Sequence, residues 1–212
     1  MKSKKFSVII PAYNSAEYIR KALDSITCQT YKDYELIVVC DDCTDNTEAI
    51  AKSYGARTAT VNYHCDGPTR SKGLDMADGE WVLWMDDDDW WTRHDVLELL
   101  AGRLKDEDIL AFSFEWPDGR RATPRGNRGF YWPAVWSKCW RRSFIGDVRF
   151  PNVQRESDWH FWCEMANKNP KITELDIVMY HYNYMRKGSQ TERWKRDTQT
   201  ISLADTDRER AH

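Results

Sequence analysis

Polar residues directly follow three short apolar runs in the first half of the chain. Tyr13 comes after the first run, Asp41 after the second, and four consecutive aspartates at positions 86–89 after the third. Carboxylate oxygens are suitable ligands for Mg²⁺ or Mn²⁺, which commonly bind substrate diphosphates at the same time. Such an ion stabilises a departing diphosphate. The alternative is a solvated acidic loop before a helix, because helix N-termini favour negative charge.

A further acid, Asp158, stands at the start of a predicted helix in the second half of the chain. From its position alone, this carboxylate has two interpretations. It stabilises the helix N-terminus, or it is a general base that takes a proton from a hydroxyl group. The position by itself favours the first interpretation.

The cysteines suggest a second kind of metal site. Cys40 and Cys43 have the spacing of a zinc-binding pair, and His64 and Cys65 follow further along the chain. However, the sequence has no second pair with this spacing, and Cys40 ends an apolar run. We therefore expect these cysteines to be small packing residues, with zinc binding as the alternative.

Short β-rich runs alternate with amphipathic segments up to about residue 105. This alternation predicts a mostly parallel α/β sheet of the Rossmann type, with helices on both faces. Ligands of such sheets bind beyond the carboxyl ends of the strands, so the three polar groups should meet at one edge. The predicted strands are 6–10, 36–40, 58–61 and 81–85, and the predicted helices begin near Asn14, Asp45, Thr69 and Thr92.

The second half of the chain has a less regular pattern. The sequence predicts a strand at 109–115, a helix at 158–167 and an extended aromatic stretch at 172–184, and the chain becomes polar from Arg186 onward. Seven basic residues and one acid lie between positions 118 and 142. This basic segment is a candidate source of cations that face a diphosphate leaving group.

The composition limits the class of protein. The 212 residues include 31 Lys and Arg against 34 Asp and Glu, a balance that argues against nucleic acid as a partner. No apolar run reaches the roughly 18–20 residues of a membrane span, and the apolar stretch after the basic N-terminus is too short for a signal peptide. We expect one soluble, cytoplasmic domain, whose basic and Trp-rich surface could contact a membrane peripherally.

Four blocks of sequence occur in a fixed order in the first half. They are SVIIPAYN at 7–14, LIVVCDDCTDNT at 36–47, GEWV at 79–82 and MDDDD at 85–89. Together they resemble the family 2 glycosyltransferases of the GT-A fold over residues 6 to about 105. A looser likeness covers residues 131–190, where WSKCWRR at 136–142 resembles another block of that family.

The resemblance implies how a nucleotide donor would bind. It places Pro11 and Tyr13 against the nucleotide base, and it makes Asp41 the residue that hydrogen-bonds the base, usually uracil. Arg70 would lie near the nucleotide or its phosphates. Asp87 would face the ribose or the sugar of the donor.

The resemblance also implies a metal, a base and an acceptor site. Asp88, with Asp86, would bind Mn²⁺ or Mg²⁺, and Asp158 would be the general base. Arg186 would belong to a segment that closes over the donor. His181 could reach the metal or a phosphate, although a packed histidine in an aromatic strand explains it equally well. The candidate acceptor residues are Trp132 and Trp159, for which core packing is the alternative.

The expected reaction is an inverting transfer of a sugar from a UDP-linked donor to a hydroxyl of a carbohydrate or lipid-linked carbohydrate. Residues 1–105 would bind the nucleotide sugar, residues 106–190 would bind the acceptor and carry the base, and residues 191–212 would form a polar tail. Two alternatives remain. A nucleotidyltransferase would need a glycine-rich basic loop after the first strand, where this chain has Pro11 and Tyr13. A non-catalytic sugar- or metal-binding module of the same fold is the other.

Some positions depart from the family pattern. Cys40 replaces the first of two aspartates, and Asp42 and Cys43 replace a Gly-Ser pair. Ser157 stands where the glutamate of a catalytic Glu-Asp pair is expected, whereas Asp158 keeps the aspartate. The change around Cys40 is the feature that keeps the non-catalytic alternative open.

Overall fold

The computed structural model describes residues 5–126 and 129–184. The strands are β1 (Phe6–Ala12), β2 (Tyr34–Asp41), β3 (Arg57–Val61), β4 (Trp81–Trp84), β5 (Trp90–Trp91), β6 (Ile109–Glu115), β7 (Arg121–Ala122), β8 (Lys138–Arg141) and β9 (Ile172–His181). The helices are α1 (Ile19–Thr27), α2 (Thr47–Ser53), α3 (Asp66–Met76), α4 (Val96–Ala101), α5 (Arg142–Ile145) and α6 (Ser157–Asn167), and a 3₁₀ turn covers Val135–Ser137. None of these helices is long and apolar enough to cross a membrane.

The strands form one mixed sheet in the order β3-β2-β1-β4-β8-β6-β9-β5, with β7 paired to β6. The strands β3, β2, β1 and β4 pair in parallel, as the alternation of strands and helices predicts. In the second half, β8 is antiparallel to both β4 and β6, β9 is parallel to β6, and β5 is antiparallel to β9. The α/β fold class is confirmed, and one sheet continues from the first half of the chain into the second.

Each face of the sheet buries its own apolar layer. Phe6, Val8 and Ile10 of β1 pack in the layer that contains α1 and α4, whereas Ile9 packs in the opposite layer with α3 and α6. Successive side chains of a strand point to opposite faces, which explains this alternation. All four side chains are fully buried. The continuous apolar run at 6–10 is therefore that of a strand covered on both sides.

The helix α3 approaches the sheet closely because of a glycine. A Cβ atom at Gly73 would collide with Ile9 Cγ2 of β1, so the helix needs a residue without a side chain there. Near the start of α3, a Cβ atom at Gly67 would likewise collide with the carbonyl oxygen of Pro151. The polar residues of α3 consequently lie between the carboxyl ends of the strands and the segment that precedes α6.

Two helices begin later than the sequence predicts. The predicted first residue of α1, Asn14, adopts a φ of 45°, and its side chain accepts hydrogen bonds from the amides of Thr44 and Asp45. The predicted cap of α4, Thr92, donates its hydroxyl to the carbonyl of Val178 instead. In both cases a polar side chain that resembles a local helix cap bonds to a segment distant in sequence.

The strands β5 and β8 were not predicted. β5 is two residues long, and β8 lies inside the basic segment 118–142, for which the sequence predicts no regular element. The strand β8 pairs with both β4 and β6. It therefore connects the parallel half of the sheet to the half that carries β6 and β9.

Candidate active site

The carboxyl ends of β1 and β4 meet through a hydrogen bond. The amide of Tyr13, directly after β1, donates to Asp87 Oδ2 at 3.2 Å. Asp87 is buried, whereas Tyr13 is 53% exposed, so its ring presents a surface at this edge of the sheet. Pro11 lies near the end of β1, opposite Val39 of β2. The first and third polar groups of the sequence therefore meet as expected.

Asp41 ends β2 and holds the loop that leads into α3. Its Oδ1 accepts hydrogen bonds from the amides of Tyr63 and His64 at 2.7 and 3.0 Å. Its Oδ2 accepts from the Cys65 amide at 2.9 Å and from the Thr69 hydroxyl at 3.0 Å. Burial opposes ionisation, but these hydrogen bonds hold the pKa of this carboxyl below its ordinary value. The carboxylate of Asp41 thus anchors the start of α3, and its contact with a nucleotide base stays a prediction.

Arg70 of α3 connects acids from both halves of the chain. Its Nη2 donates to Asp86 Oδ1 at 2.7 Å, and its Nη1 pairs with Asp66 and lies 3.6 Å from Asp158 Oδ1. The Arg70 side chain is 7% exposed. Burial alone would lower the pKa of Arg70, but Asp158, Asp86 and Asp66 raise it well above its usual range. One buried cation therefore joins the acidic turn after β4 to the first turn of α6.

Asp158, the predicted base, is partly buried in this cluster, with a side chain 23% exposed. Its Oδ2 accepts a hydrogen bond from the Val135 amide at 3.2 Å. Its Oδ1 is buried, and no donor in the described part of the chain is hydrogen-bonded to it. Burial raises the pKa of Asp158, Arg70 opposes the rise, and Asp86 adds to it. A raised pKa makes the ionised carboxylate a better acceptor for a hydroxyl proton.

Asp86 and Asp88 lie in the turn after β4 and are both partly exposed. Their oxygens have the hard-donor chemistry that Mg²⁺ and Mn²⁺ prefer. Within residues 5–126 and 129–184, no group of three His, Cys, Asp or Glu side chains is arranged to hold a metal ion. One or two carboxylates completed by substrate phosphates is a common arrangement for Mg²⁺. The chemistry of these two side chains suits it, with one oxygen of Asp86 bonded to Arg70.

The fourth aspartate of the run, Asp89, has a role that the sequence analysis missed. It is fully buried and accepts hydrogen bonds from the Tyr180 hydroxyl and the Asn183 amide, both at 2.6 Å. The Tyr180 oxygen also accepts a hydrogen bond from the Asp86 amide at 3.1 Å. Burial, together with Asp86 and Asp88, raises the pKa of Asp89 well above its usual range. Asp89 thus ties the acidic turn to the end of β9, although in the sequence it looks like its three neighbours.

His181 packs at the edge of the sheet. Its ring stacks on Trp90 with the centroids 3.9 Å apart, and its Nδ1 lies 3.0 Å from Glu115 Oε1. Lys21 Nζ lies 3.0 Å from the centre of the same Trp90 ring. These contacts favour the packed histidine over one that reaches a metal or a phosphate. Arg186 lies outside the described residues.

The two candidate acceptor tryptophans have different surroundings. Trp159 follows Asp158 on α6 and is 50% exposed. Trp132 is partly buried, with its ring centre 5.7 Å from that of Phe114 and 5.9 Å from that of Trp116. Trp159 therefore offers a ring surface to a ligand, whereas Trp132 contributes to packing.

The expectation that the basic segment 118–142 faces a diphosphate is wrong for three of its residues. Lys138 is buried and donates to the carbonyls of Trp132 and Ala134. The guanidinium groups of Arg141 and Arg142 donate to backbone carbonyls at positions 105, 107, 78 and 79. Irregular segments leave such carbonyls without sheet or helix partners, and these side chains supply the donors.

The cysteines do not assemble a zinc site in the part of the chain that the structure covers. Cys40 is buried in the apolar layer beside α1. Cys43 Sγ donates to the Ala12 carbonyl at 3.4 Å, and Cys65 Sγ donates to the Val153 carbonyl at 3.1 Å. These contacts are those of packing residues, as expected.

Solved glycosyltransferases share this fold. A fragment of Staphylococcus aureus TarS in complex with UDP-GlcNAc superposes with a TM-score of 0.77 and 26% identity, over 89% of this chain and 60% of that chain. A mannosyltransferase from Pyrobaculum calidifontis, in complex with GDP-Man and Mn²⁺, superposes with a TM-score of 0.72 over 92% of this chain and 60% of that chain. At 19% identity, the second match is a likeness of fold alone. The domain has the GT-A fold.

The sequence comparisons identify the family. The model of glycosyl transferase family 2 matches residues 7–166, and the chain belongs to this family. Glycosyltransferase GlyA from Streptococcus pneumoniae is 26% identical over 223 residues, which cover 90% of this chain and 32% of GlyA. The poly(ribitol-phosphate) β-N-acetylglucosaminyltransferase TarS is 29% identical over 210 residues, which cover 87% of this chain and 36% of TarS. The chain thus spans about a third of the length of these two relatives.

Proposed function

We propose that this domain is an inverting glycosyltransferase that moves a sugar from a UDP-linked donor to a hydroxyl group. The observation that carries the proposal is the Arg70 cluster, which joins Asp86 of the acidic turn to Asp158 of α6. Membership of glycosyl transferase family 2 supports glycosyl transfer. The crystal complexes of TarS with UDP and UDP-GlcNAc support a UDP-linked donor.

In this proposal Asp158 is the general base. A hydroxyl group is a weak nucleophile at neutral pH and needs a positioned base. Asp158 takes the hydroxyl proton while the hydroxyl oxygen forms a bond to the anomeric carbon. The bond from that carbon to the diphosphate oxygen breaks, and its electron pair leaves with UDP. Attack from the side opposite the diphosphate inverts the configuration at the anomeric carbon.

The donor would bind at the carboxyl ends of β1, β2 and β4. Pro11 and the exposed Tyr13 ring would border the base, and Asp87, held by the Tyr13 amide, would face the ribose or the sugar. Both oxygens of Asp41 already accept hydrogen bonds from the loop before α3. Asp41 would therefore act at the base mainly by fixing that loop beside it. Arg70 would attract the donor phosphates while it keeps Asp158 close.

A divalent ion, Mn²⁺ or Mg²⁺, would be held by Asp88 and Asp86 together with oxygens of the donor. When bound, it would supply positive charge to the departing diphosphate. The chain's own contribution is to fix the turn that carries both carboxylates. The Asp86 amide is bonded to the Tyr180 hydroxyl, and the Asp88 carbonyl accepts from Asn183 Nδ2 at 3.2 Å.

The acceptor would be a carbohydrate or a lipid-linked carbohydrate that approaches from the side of α6. The exposed Trp159 ring, one residue after the base, offers a flat apolar surface for a sugar ring. Contact with a membrane surface is part of the proposal only for a lipid-linked acceptor.

The proposal is tested by measuring UDP binding and UDP release. Calorimetry with and without Mn²⁺ should detect metal-dependent binding of UDP, and UDP-GlcNAc should slowly release UDP to water. Asp158→Asn should bind UDP normally but turn over about 10²–10⁴ times more slowly, the usual contribution of a general base. Asp75→Asn removes an exposed carboxylate of α3, paired with Arg149 at 2.8 Å, and serves as the control.

The possible outcomes separate the candidate functions. Absence of UDP affinity, or full turnover in Asp158→Asn, would contradict the proposal. Metal-dependent UDP binding with no turnover in the unmodified chain would favour the non-catalytic binding module.

A further inference from the structure

We propose that Lys138 is the positioning residue of the base: its buried side chain holds segment 132–135 against Asp158 and thereby fixes the direction of the carboxylate. The inference rests on the proposed role of Asp158 in transfer. Lys138 is buried at the start of β8, and the proposed function gives it no part in binding the donor.

The first link is a chain of backbone contacts. Lys138 begins β8 and is 1% exposed. Its Nζ donates to the carbonyl of Trp132 and, at 2.9 Å, to the carbonyl of Ala134. The next residue, Val135, donates its amide to Asp158 Oδ2 at 3.2 Å. One amine therefore holds two of the three carbonyls that precede the amide bonded to the base, those of Trp132 and Ala134.

The second link runs through α6. Lys138 Nζ lies 4.8 Å from the centre of the Trp162 ring, within the range of a cation–π contact. Trp162 is one helical turn after Asp158 on α6. In addition, Trp140 Nε1 donates to the Val135 carbonyl at 3.1 Å. Segment 132–135 and the helix that carries the base are thus both packed on Lys138.

The chemistry of the side chain explains why a lysine stands here. Burial lowers the pKa of Lys138 to about 7, and attraction to Asp158 opposes this change. The amine keeps at least two N–H groups whether or not it is charged, so it can bond to both carbonyls in either state. A methionine would fill similar space but would leave the Trp132 carbonyl without this donor and the Ala134 carbonyl with the Ser137 hydroxyl, at 2.9 Å, as its remaining side-chain partner. An unpaired buried carbonyl is costly.

An exposed lysine at the other end of α6 makes the same type of contact and serves as a control. Lys168 Nζ also donates to two backbone carbonyls, those of Phe144 and Ile145, both at 3.0 Å. It also lies 5.4 Å from the centre of the Phe144 ring. Lys168 follows the last residue of α6, whereas Asp158 lies in the first turn. Lys168→Met therefore removes the same type of contact without touching the base.

The first test observes the Val135 amide directly. In protein labelled with ¹⁵N-valine, its NMR signal is assigned by its disappearance in Val135→Ile. Asp158→Asn should shift this signal because it changes the acceptor of the hydrogen bond. Lys138→Met should shift or broaden it as well, and Lys168→Met should leave it in place. An unchanged Val135 signal in Lys138→Met would overturn the inference, whatever Asp158 does in the reaction.

The second test separates positioning from a general loss of stability. With UDP-GlcNAc and Mn²⁺, Lys138→Met should release UDP about 10²-fold more slowly, the usual cost of a base misplaced by about 1 Å. Its affinity for UDP should stay unchanged. Lys138→Gln keeps a side-chain N–H donor and should recover part of the rate. Equal losses of UDP affinity and rate, or an equal rate loss in Lys168→Met, would indicate a structural role and overturn the inference.

The two proposals can fail separately. If Asp158→Asn keeps full turnover, the proposed function fails, whereas the Val135 signal still decides whether Lys138 orients the Asp158 carboxylate. If Lys138→Met does not fold, Lys138→Gln is compared with Lys168→Gln. Because the shorter glutamine amide cannot reproduce both contacts of the amine, Lys138→Gln should still shift the Val135 signal and lower the rate in part, and values equal to those of Lys168→Gln would overturn the inference. If Lys138→Leu keeps both the UDP-release rate and the Val135 signal of the unmodified chain, the inference is also overturned.

Discussion

The two halves of the sheet position their polar residues in different ways. In the first half, Tyr13 and Asp87 stand at the ends of neighbouring parallel strands, and strand pairing alone brings them within hydrogen-bond distance. In the second half, buried polar side chains make the connections instead. Tyr180 is bonded to Asp89, 91 residues away, and Lys138 is bonded to the carbonyl of Trp132 in the loop before β8. The comparison teaches that strand pairing places Tyr13 and Asp87, whereas individual buried contacts place the rest of the acidic turn and the surroundings of Asp158.

This difference has an energetic consequence. In the first half, the backbone hydrogen bonds between the strands remain when one side chain at a strand end is replaced. A buried carboxylate or amine that loses its partner leaves a polar group unpaired away from water. Substitutions in the buried contacts of the second half, and at the junction between the halves, should therefore cost more than substitutions at exposed residues of the site.

The largest effect is expected at Arg70, which joins the two halves. Arg70→Met leaves Asp66, Asp86 and Asp158 without their shared cation. We expect the free energy of unfolding to fall by about 3–5 kcal/mol, the usual cost of removing one partner of a buried ion pair. Urea denaturation measures this change. A loss no larger than that in Arg93→Met, where the arginine pairs with Asp95 at the surface, would contradict the central role of Arg70.

The same variant should change the pH dependence of turnover. Arg70 opposes the upward shift in the pKa of Asp158, so its removal should raise that pKa further. The base must be ionised to accept a proton, and activity therefore increases as the pH rises through this pKa. In Arg70→Met, the acidic limb of the pH–rate profile should move to higher pH. An acidic limb at the same pH would show that Arg70 does not control the ionisation of the base.

The next effect concerns the contact between the acidic turn and β9. Tyr180→Phe removes the hydroxyl that donates to the buried Asp89, and we expect a loss of about 1–3 kcal/mol in the free energy of unfolding. In a double-mutant cycle with Asp89→Asn, the two changes should be coupled by at least about 0.5 kcal/mol. Tyr34→Phe, whose hydroxyl donates to the Ile26 carbonyl at 3.2 Å, should lose less. Additive effects of Tyr180→Phe and Asp89→Asn would contradict the contact.

The difference between strand pairing and buried side-chain contacts also explains which features could be predicted from the sequence. The strands β1, β2 and β4, unlike the weaker β3, leave nearly continuous apolar runs, a local signal that does not depend on distant partners. The strand β6 was predicted with its observed bounds for the same reason, and α6 nearly so. The meeting of Tyr13 with Asp87 followed from the rule for the carboxyl ends of parallel strands.

What could not be predicted depends on partners far along the chain. Asp89 and Tyr180 are 91 residues apart, and nothing in the run of four aspartates marks the fourth as the buried one. Lys138 was counted with the cations of the basic segment. Lysines are rarely buried, and nothing local marks this one as the exception. The shared contact of Asp86 and Asp158 with Arg70 depends on the close packing of α3 that Gly73 allows. Each of these features is a property of packing between elements, which a local pattern does not encode.

A smaller effect, in the pH dependence of stability, should identify Lys138 as buried. Its pKa is lowered from 10.5 to about 7 in the folded chain. Between these values the unfolded chain binds the proton that the folded chain has released, so stability rises with pH. Relative to Lys138→Met, the unmodified chain should gain about 1–2 kcal/mol in the free energy of unfolding between about pH 7.5 and about pH 9. Parallel curves for the two proteins would contradict the burial of this amine.

The smallest effect on stability is expected at Trp159. This residue tests whether the second half of the chain has a ligand-binding surface in addition to its buried contacts. Trp159 is 50% exposed, whereas Phe161, on the buried side of the same helix, is not exposed at all. Trp159→Ala should change the free energy of unfolding by less than about 0.5 kcal/mol, as surface substitutions usually do. Phe161→Ala should cost about 3–5 kcal/mol because it opens a cavity between α6 and the sheet.

The function of Trp159 should appear instead in the competition between a sugar acceptor and water. If its ring supports a carbohydrate next to Asp158, Trp159→Ala should lower transfer to a carbohydrate acceptor while hydrolysis of UDP-GlcNAc stays the same. The base and the donor site remain intact in this variant. If hydrolysis falls as much as transfer does, Trp159 is a packing residue and not an acceptor contact. A loss confined to transfer would show that two consecutive residues of α6, Asp158 and Trp159, supply the base and the acceptor surface. Strand topology alone does not provide such an arrangement.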